Sequence, residues 1–327
     1  LPHLAECVDD IAFVNSMHSK TSNHTPATFL ENTGFTMNGF PNLGAWISYG
    51  LGSENQNLPA YIVLPDPRGL PAGSAINWTQ GFLPAAHQGV AFNATGEPIP
   101  DLFTPKNIPP EKRRAGMNLL RAMNRDYAAS DPQNDELHAR IRAYELAAQM
   151  QLNVPEITNL SGESAATHKL YGLDDKVTEG FGRNCLRARR LCERGVRFVQ
   201  VTHSNTEVQW DQHGNLRKGH QQNSAEVDKP IAGLLRDLKS RGLLDDTLVL
   251  WGGEFGRTPT CQGKGHDGRD HNPEGFTMWL AGGGVRNGIQ YGATDDYGYY
   301  AAIDKVHIHD LHATLLHLLG VDHLRLT

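Results

Sequence analysis

Six side chains in the second half of the sequence have the chemistry of metal ligands or anion-binding groups. They form three short clusters: Asp211 and His213, then Glu254 and Arg257, then Asp270 and His271. Carboxylates and neutral imidazoles that lie close together suit Zn²⁺ or Mn²⁺. An arginine can hold two oxygens of a phosphate or sulfate through its planar fork. These residue types predict a site in which metal and an anionic ligand meet.

Each cluster also has a plain structural interpretation. Asp211 could cap a polar turn. Glu254 and Arg257 could form an ion pair inside a loop, and the third cluster could be a solvated turn. For the third cluster the density of groups favours a site, because residues 266–271 hold two Asp, two His and one Arg.

The segment Thr21-Ser22-Asn23-His24-Thr25-Pro26 joins a predicted strand to a predicted helix. The first N–H groups of a helix have no intrahelical partner, so such a junction can bind an anion. A nucleophile here would be His24 or a hydroxyl of Ser22 or Thr25. Imidazoles are common metal ligands, which favours a ligand or acid role for His24 over direct attack. The alternative is that Ser22 or Thr25 only caps the helix.

The pattern of apolar residues predicts strands that alternate with helices. Strands are predicted at 11–14, 60–64, 197–201, 247–251 and 276–281, and helices at 115–152 with a break near 131, 177–194, 222–241 and 310–319. Alternating strands and helices indicate a largely parallel sheet covered on both faces. A further group of His307, His309 and His312 surrounds Asp310, which is predicted to be the N-cap of the last helix.

The polar clusters follow or flank the ends of predicted strands. Ligands of open α/β sheets bind at the carboxyl ends of strands. We therefore expect Asp211, His213, Glu254 and His271 to converge at one edge, with Arg257 facing the same crevice near the helix that follows His24.

The remaining sequence is interpreted as one domain over residues 1–327. Residues 34–59 are predicted to be mostly loop, and 65–115, rich in Pro and Gly, an irregular excursion over the surface. The formal net charge of −6 argues against a nucleic-acid partner. No apolar run approaches 18 residues, so no transmembrane segment is predicted. The sequence lacks an initiator Met and a signal peptide, which is typical of a trimmed or processed chain.

The motifs resemble those of the DUF1501 family. The resemblance covers nearly the whole chain and rests mainly on Trp-Gly-Gly-Glu-Phe-Gly-Arg-Thr-Pro at 251–259, Gly-Arg-Asp-His-Asn-Pro at 268–273 and Trp-Asp-Gln-His-Gly at 210–214. That family is grouped with alkaline phosphatases and sulfatases. The resemblance implies an α/β fold, namely an alkaline-phosphatase-like three-layer sandwich with a largely parallel central sheet and helices on both faces.

The resemblance also implies adjacent divalent ions, which could be Zn, Mn, Ca or Mg. Their expected ligands are Asp211, His213, Glu254, Asp270 and His271. The sulfatase pattern Cys-x-Pro-x-Arg aligns with residues 24–28, where His24 replaces Cys and no Arg follows, so formylglycine chemistry is not expected. The chain begins after the first strand of the family, which places one family Asp ligand outside it. Family members often carry a twin-arginine export signal, which implies a periplasmic or secreted location.

The sequence therefore predicts an extracytoplasmic, metal-dependent hydrolase of phosphate or sulfate esters. Its substrate would be a small anionic ester or a sulfated or phosphorylated glycan. Arg257 would bind the anion, and His24, Ser22 or Thr25 would supply the nucleophile. The alternative is a non-catalytic binding protein that retains the sulfatase-like fold. A third interpretation is a structural protein whose histidine clusters are polar turns.

Overall fold

The computed structural model describes residues 1–55, 57–93, 108–204 and 210–326. Its helices are α1 (Pro2–Ala5), α2 (His24–Thr33), α3 (Leu43–Leu51), α4 (Pro110–Ser130), α5 (Asp135–Thr158), α6 (Ala165–Leu170), α7 (Glu179–Glu193), α8 (Leu216–Ser240) and α9 (Ile308–Leu318). Its strands are β1 (Ile11–His18), β2 (Tyr61–Leu64), β3 (Val90–Ala91), β4 (Phe198–Val201), β5 (Val249–Trp251), β6 (Gly256–Gln262), β7 (Gly268–Asn272), β8 (Phe276–Ala281), β9 (Ile289–Tyr291), β10 (Ala293–Thr294), β11 (Ala301–Ile303) and β12 (Val306–His307).

The larger sheet has five strands with β1 at its centre. β8 pairs antiparallel with both β1 and β5, whereas β9 and β12 pair parallel with successive parts of β1. Because β1 and β5 are both antiparallel to β8, they run in the same direction. Their carboxyl ends, and the amino end of β8, therefore lie at one edge of the sheet.

Helices cover both faces of this sheet. Alternate residues of β8 point to opposite faces: Met278 and Leu280 pack with α2 and α9, whereas Trp279 packs with α1 and α8. The stripe of Val227, Ile231, Leu235 and Leu238 on α8 covers the second face. Both faces of β8 are buried, which explains why the strand is apolar at almost every position.

A smaller sheet has three parallel strands in the order β3-β2-β4, and among the described residues no strand pairing joins it to the larger sheet. Ile62 and Leu64 of β2 pack against α5 and α7. Tyr61 and Val63 face the opposite side and pack with Trp78. Burial on both faces again requires the continuous apolar run that marks β2 in the sequence.

The expectation that residues 34–59 are mostly loop holds for most of the described segment, but it did not include the helix α3. Asn42 caps α3 by accepting a hydrogen bond from the Gly44 N–H, and Gly52 ends the helix. Glycine lowers helix propensity, which hid the element. In the fold Gly44 is needed for packing, since a Cβ there would lie 2.5 Å from the Phe198 ring.

Two smaller predictions also need correction. The segment from Gly256 to Asn272, expected to be loop and turn, forms the antiparallel pair β6–β7. The last helix is capped by His307, while Asp310 lies at its third position and closes a capping box onto the His307 N–H. The structural role of this group is thus shared between a histidine and the aspartate.

The predicted excursion at 65–115 is only partly described by the structure. Its described part holds short 3-10 helices at Ser74–Trp78 and Ala85–His87, the two-residue β3 and the start of α4. Residues 94–107 lie outside the described residues. None of the described helices combines the length and apolar composition that crossing a bilayer requires.

The α/β class is confirmed. The larger sheet is mixed, with two parallel and two antiparallel pairings, and the only wholly parallel sheet among the described strands is the smaller one. The largely parallel three-layer sandwich therefore stays a prediction.

Candidate metal centre

His24 is the first residue of α2, and its side chain lies at the carboxyl edge of the larger sheet. Nδ1 of His24 is 2.7 Å from Oε1 of Glu254, which follows β5. Nε2 of His24 is 3.1 Å from Oδ2 of Asp211. Since the Glu254 carboxylate can only accept, Nδ1 carries a proton and Nε2 of the neutral ring turns its lone pair toward Asp211.

The β6–β7 pair brings Arg257 and His271 beside the same aspartate. The two residues are directly paired across the ladder, so their side chains leave the same face. Arg257 Nη1 donates to Oδ1 of Asp211 at 2.6 Å. Nε2 of His271 lies 3.0 Å from the same oxygen.

His213 completes the cluster from the segment before α8. Its Nε2 lies 3.0 Å from Nε2 of His271 and 3.0 Å from Oδ1 of Asp211. The other nitrogen of each ring is held by an oxygen: Nδ1 of His213 by Oε1 of Gln262 at 2.6 Å, and Nδ1 of His271 by the Ser22 carbonyl at 2.5 Å. Both Nδ1 atoms therefore donate, which leaves both Nε2 atoms as acceptors in the neutral rings.

Acceptor atoms thus face one another in this cluster, which we call the Asp211 centre. It consists of Asp211, His24, His213 and His271. Two imidazole lone pairs and a carboxylate at about hydrogen-bond distance repel unless a positive charge lies between them. A proton can supply that charge in the metal-free protein, and a divalent ion can supply it when bound. A carbonyl or carboxylate on the remote nitrogen is the usual partner of a metal-bound histidine.

Two overlapping groups of side chains have ligand atoms close enough to hold an ion. The first is His24, Asp211 and His271, and the second is His213, Asp270 and His271, each with all ligand atoms within 4.8 Å of one another. Asp270 is the outermost member, with a side chain 57% exposed and 4.0 Å from His213. The first group is the more enclosed.

The charges of the centre alter the pKa of two members. The hydrogen bond to Glu254 raises the pKa of His24, and burial opposes that change. Burial alone would raise the pKa of Asp211. The hydrogen bond and the positive charge of Arg257 outweigh burial and hold that pKa well below its usual range. Asp211 is therefore ionised at neutral pH.

The structure brings most of the predicted residues together but alters their arrangement. Asp211, His213 and His271 meet, and Arg257 faces the same crevice. Glu254 was expected as a ligand, yet it belongs to neither ligand group and contacts His24 instead. His24, considered as a nucleophile or a ligand, lies in the first ligand group.

The two candidate hydroxyls are placed differently. Ser22 joins the centre through its backbone carbonyl, and Thr25 is exposed. Sequence reasoning missed Gln262 and the Ser22 carbonyl. Neither carries a chemical signature in the sequence, because a polar strand residue and a backbone oxygen become partners only through tertiary contact.

Comparison with known proteins identifies a family by sequence. The family profile described as "Protein of unknown function (DUF1501)" matches residues 1–327. No curated protein is significantly similar to the chain in sequence.

Among solved structures, the PsFucS1 sulfatase from Pseudoalteromonas sp. aligns with 98% of this chain at 15% identity and a TM-score of 0.42. The Ps i-CgsB complex with k-i-k-neocarrahexaose aligns with 98% of this chain at 13% identity and a TM-score of 0.45. The chain spans 62% and 66% of the lengths of these proteins.

Proposed function

Because the chain belongs to the DUF1501 family, whose activity the family description leaves open, we propose from its side chains that it is a metal-dependent hydrolase of phosphate or sulfate esters. The Asp211 centre would hold one or two divalent ions. The donor set of imidazole nitrogens and carboxylate oxygens fits Zn²⁺ or Mn²⁺ better than Ca²⁺ or Mg²⁺, which prefer oxygen ligands.

One observation carries the proposal. Nε2 of His213 and Nε2 of His271 lie 3.0 Å apart, and the opposite nitrogen of each ring is fixed by an oxygen acceptor. A purely structural pair of histidines would place a donor between the rings. The same arrangement recurs at His24, where Glu254 takes the role of the outer acceptor.

Different residues of the site would bind the ion, orient its ligands and bind the substrate. Asp211 and the three imidazoles would bind the ion, and Glu254, Gln262 and the Ser22 carbonyl would orient the rings. A bound divalent ion would polarise the ester and lower the pKa of a coordinated water. Arg257 donates to Asp211, and its Cζ lies over the Phe255 ring, 5.7 Å from the ring centroid. Its remaining N–H groups can bind the anionic oxygens of the substrate.

His24 is assigned a ligand role rather than a nucleophilic one. Nδ1 donates to Glu254, and the lone pair of Nε2 faces the Asp211 carboxylate at 3.1 Å, so both atoms can share a cation. Attack would then come from water. Phosphohistidine formation would require Nε2 to leave Asp211 first.

The alternative is a binding protein that uses the same centre without catalysis. It is favoured by the absence, within the described residues, of a hydrogen bond from the Ser22 or Thr25 hydroxyl to the Asp211 centre. Phosphorylated or sulfated ligands would then be bound and released unchanged.

We also propose three properties that the family resemblance implies. The fold would be an alkaline-phosphatase-like three-layer sandwich, the location periplasmic or secreted, and the substrate a sulfated or phosphorylated glycan.

The proposal is tested on the purified protein in three steps. Elemental analysis measures bound metal, calorimetric titration measures affinity for Zn²⁺ and Mn²⁺, and aryl phosphate and aryl sulfate report hydrolysis. We expect binding that His271→Gln abolishes and metal-dependent release of the aryl alcohol. Metal binding without turnover of either ester would favour the non-catalytic binding protein. A protein that binds no metal would reject both the hydrolase and the binding protein.

A further inference from the structure

A second group of polar side chains lies beyond the carboxyl ends of β2 and β4. It comprises Asp66, Arg68, His203 and Glu226, with Trp210 beside it. The side chains of His203 and Glu226 are only 10% and 13% exposed. None of these residues belongs to the Asp211 centre, yet Trp210 is the immediate neighbour of Asp211 in the sequence.

Two hydrogen bonds fix the protonation of His203. Trp210 Nε1 lies 3.2 Å from Nδ1 of His203, and an indole nitrogen can only donate. Nδ1 must therefore accept, so the proton of the neutral ring is on Nε2. That nitrogen donates to Oε2 of Glu226 at 2.8 Å, so Nη2 of Arg68, 3.1 Å away, is a close neighbour and not its hydrogen-bond donor. Burial lowers the pKa of His203, although Glu226 opposes that change.

The Glu226 carboxylate, which accepts from His203, is itself held in place. Arg68 Nη1 donates to the same oxygen of Glu226 at 2.8 Å. Asp66 in turn accepts from Nε of Arg68 at 2.9 Å and from the N–H of Ser204 at 2.9 Å. The chain of hydrogen bonds thus runs from the smaller sheet to α8 and ends on the Trp210 indole.

The backbone around Asp211 is held on both sides. On one side the Trp210 indole is bonded to His203 and packs edge-on against His220, with ring centroids 5.6 Å apart. On the other side the Gln212 carbonyl accepts a hydrogen bond of 3.0 Å from the N–H of Arg269 in β7. Asp211 lies between these two anchors.

We propose that His203 is a positioning residue for the metal centre, which acts by holding Trp210 and thereby presenting the Asp211 carboxylate to the three imidazoles. This inference rests on the proposed function. A shift of Asp211 would change its distance to every ligand of the centre and to Arg257, because one carboxylate contacts all of them.

The test uses three variants of the full chain and calorimetric titration with Zn²⁺ and with Mn²⁺. Trp210→Phe keeps an aromatic ring and removes the N–H donor. His203→Phe removes both hydrogen bonds, and His203→Gln keeps an acceptor for Trp210 and a donor for Glu226. Trp46→Phe, at a half-buried tryptophan of α3, is the matched control.

We expect Trp210→Phe and His203→Phe to weaken metal binding about 10- to 100-fold, the range for outer-shell partners. His203→Gln is expected to recover most of the affinity, and Trp46→Phe to leave it unchanged. A merely structural role would lower thermal stability without this rescue pattern. Wild-type affinity in Trp210→Phe and His203→Phe overturns the inference.

A second measurement separates this inference from the proposed function. If the wild-type protein binds neither ion, the proposed function fails. The positioning role is then tested by a double-mutant cycle that combines Trp210→Phe with Asp211→Asn and measures the free energy of unfolding. Coupling between the two substitutions supports it. Additive effects overturn it.

Discussion

Two clusters of charged side chains in this protein differ in how their charges are balanced. One surrounds Arg189 on α7, and we call it the Arg189 cluster: Arg189, Arg190, Arg241, Glu163, Glu193 and Asp237. Nitrogens of Arg189 lie 2.9 Å from Glu163, 2.6 Å from Glu193 and 2.9 Å from Asp237. Arg190 and Arg241 supply the remaining partners. Three guanidinium groups thus meet three carboxylates.

The Asp211 centre lacks such a balance. Its three imidazoles and one carboxylate turn acceptor atoms toward one another, and Arg257 is the cation paired with Asp211. A cluster with equal numbers of opposite charges has no excess charge to offer a ligand. A cluster with a surplus of acceptors at one point is suited to a cation, and this difference distinguishes a structural cluster from a candidate site.

The largest expected effect is on the free energy of unfolding and comes from a substitution in the Arg189 cluster. Arg189→Leu leaves three carboxylates partly unpaired around a side chain that is 2% exposed. We expect the free energy of unfolding to fall by about 3–5 kcal/mol, as for the loss of one partner of a buried ion pair. Urea denaturation measures the fall, and metal affinity of the folded protein should be retained. A change below about 1 kcal/mol would show that the cluster contributes little.

Asp211→Asn is expected to lower metal affinity strongly and to change the free energy of unfolding only slightly. The variant loses a charged ligand, so metal affinity should fall more than about 100-fold, the upper range for outer-shell changes. The side chain is 32% exposed, so the unfolding free energy of the metal-free protein should change by less than is expected for Arg189→Leu. Calorimetric titration and urea denaturation of the same sample separate the two quantities. A large stability loss with unchanged affinity would reverse the assignment of the two clusters.

Glu254→Gln tests the residue that contacts His24 at the edge of the Asp211 centre. Glutamine can still accept from Nδ1 of His24 but carries no charge, so the histidine becomes a weaker ligand. We expect metal affinity to fall about 10- to 100-fold. Glu274→Gln, at an exposed glutamate, should have no effect. If Glu254→Gln binds as the wild type does, Glu254 does not support His24.

The smallest effect concerns pH. In the Arg189 cluster the arginines hold the pKa of Glu163 below its usual value although burial alone would raise it. Near the Asp211 centre, burial and then the charge of Glu254 raise the pKa of Glu31 to about 8. The native state therefore keeps a proton that the unfolded chain has lost, so stability falls as pH rises toward 8.

We expect the unfolding free energy of the metal-free protein to drop by about 1 kcal/mol between pH 7 and pH 8 from this group. Glu31→Gln should remove that part of the slope. Denaturant titrations of both proteins at each pH give the comparison. An identical slope in the two proteins would show that Glu31 is ionised in the native state.

The pattern of the sequence predicted the elements with the strongest periodicity. The apolar stripe of α8 and the buried run of β8 were placed close to their observed bounds, because burial of one face or of both faces leaves a direct pattern in the sequence. The helix α3 was missed because Gly44 lowers helix propensity, and only contact with Phe198 explains the glycine. The β6–β7 pair was missed because its polar residues lack an alternating pattern.

The amino-acid sequence alone was sufficient to predict which side chains could take part in a site. Residue types and strand ends were enough to single out Asp211, His213 and His271, because these depend on chemistry and on local order along the chain. The roles of these side chains depend on contacts that form in the folded protein. Glu254 became a partner of His24, and the Ser22 carbonyl and Gln262 fixed the histidine rings, since these hydrogen bonds join residues that are distant in the sequence. Such contacts depend on how β1, β5 and the β6–β7 pair meet at one edge, and no local pattern encodes that meeting.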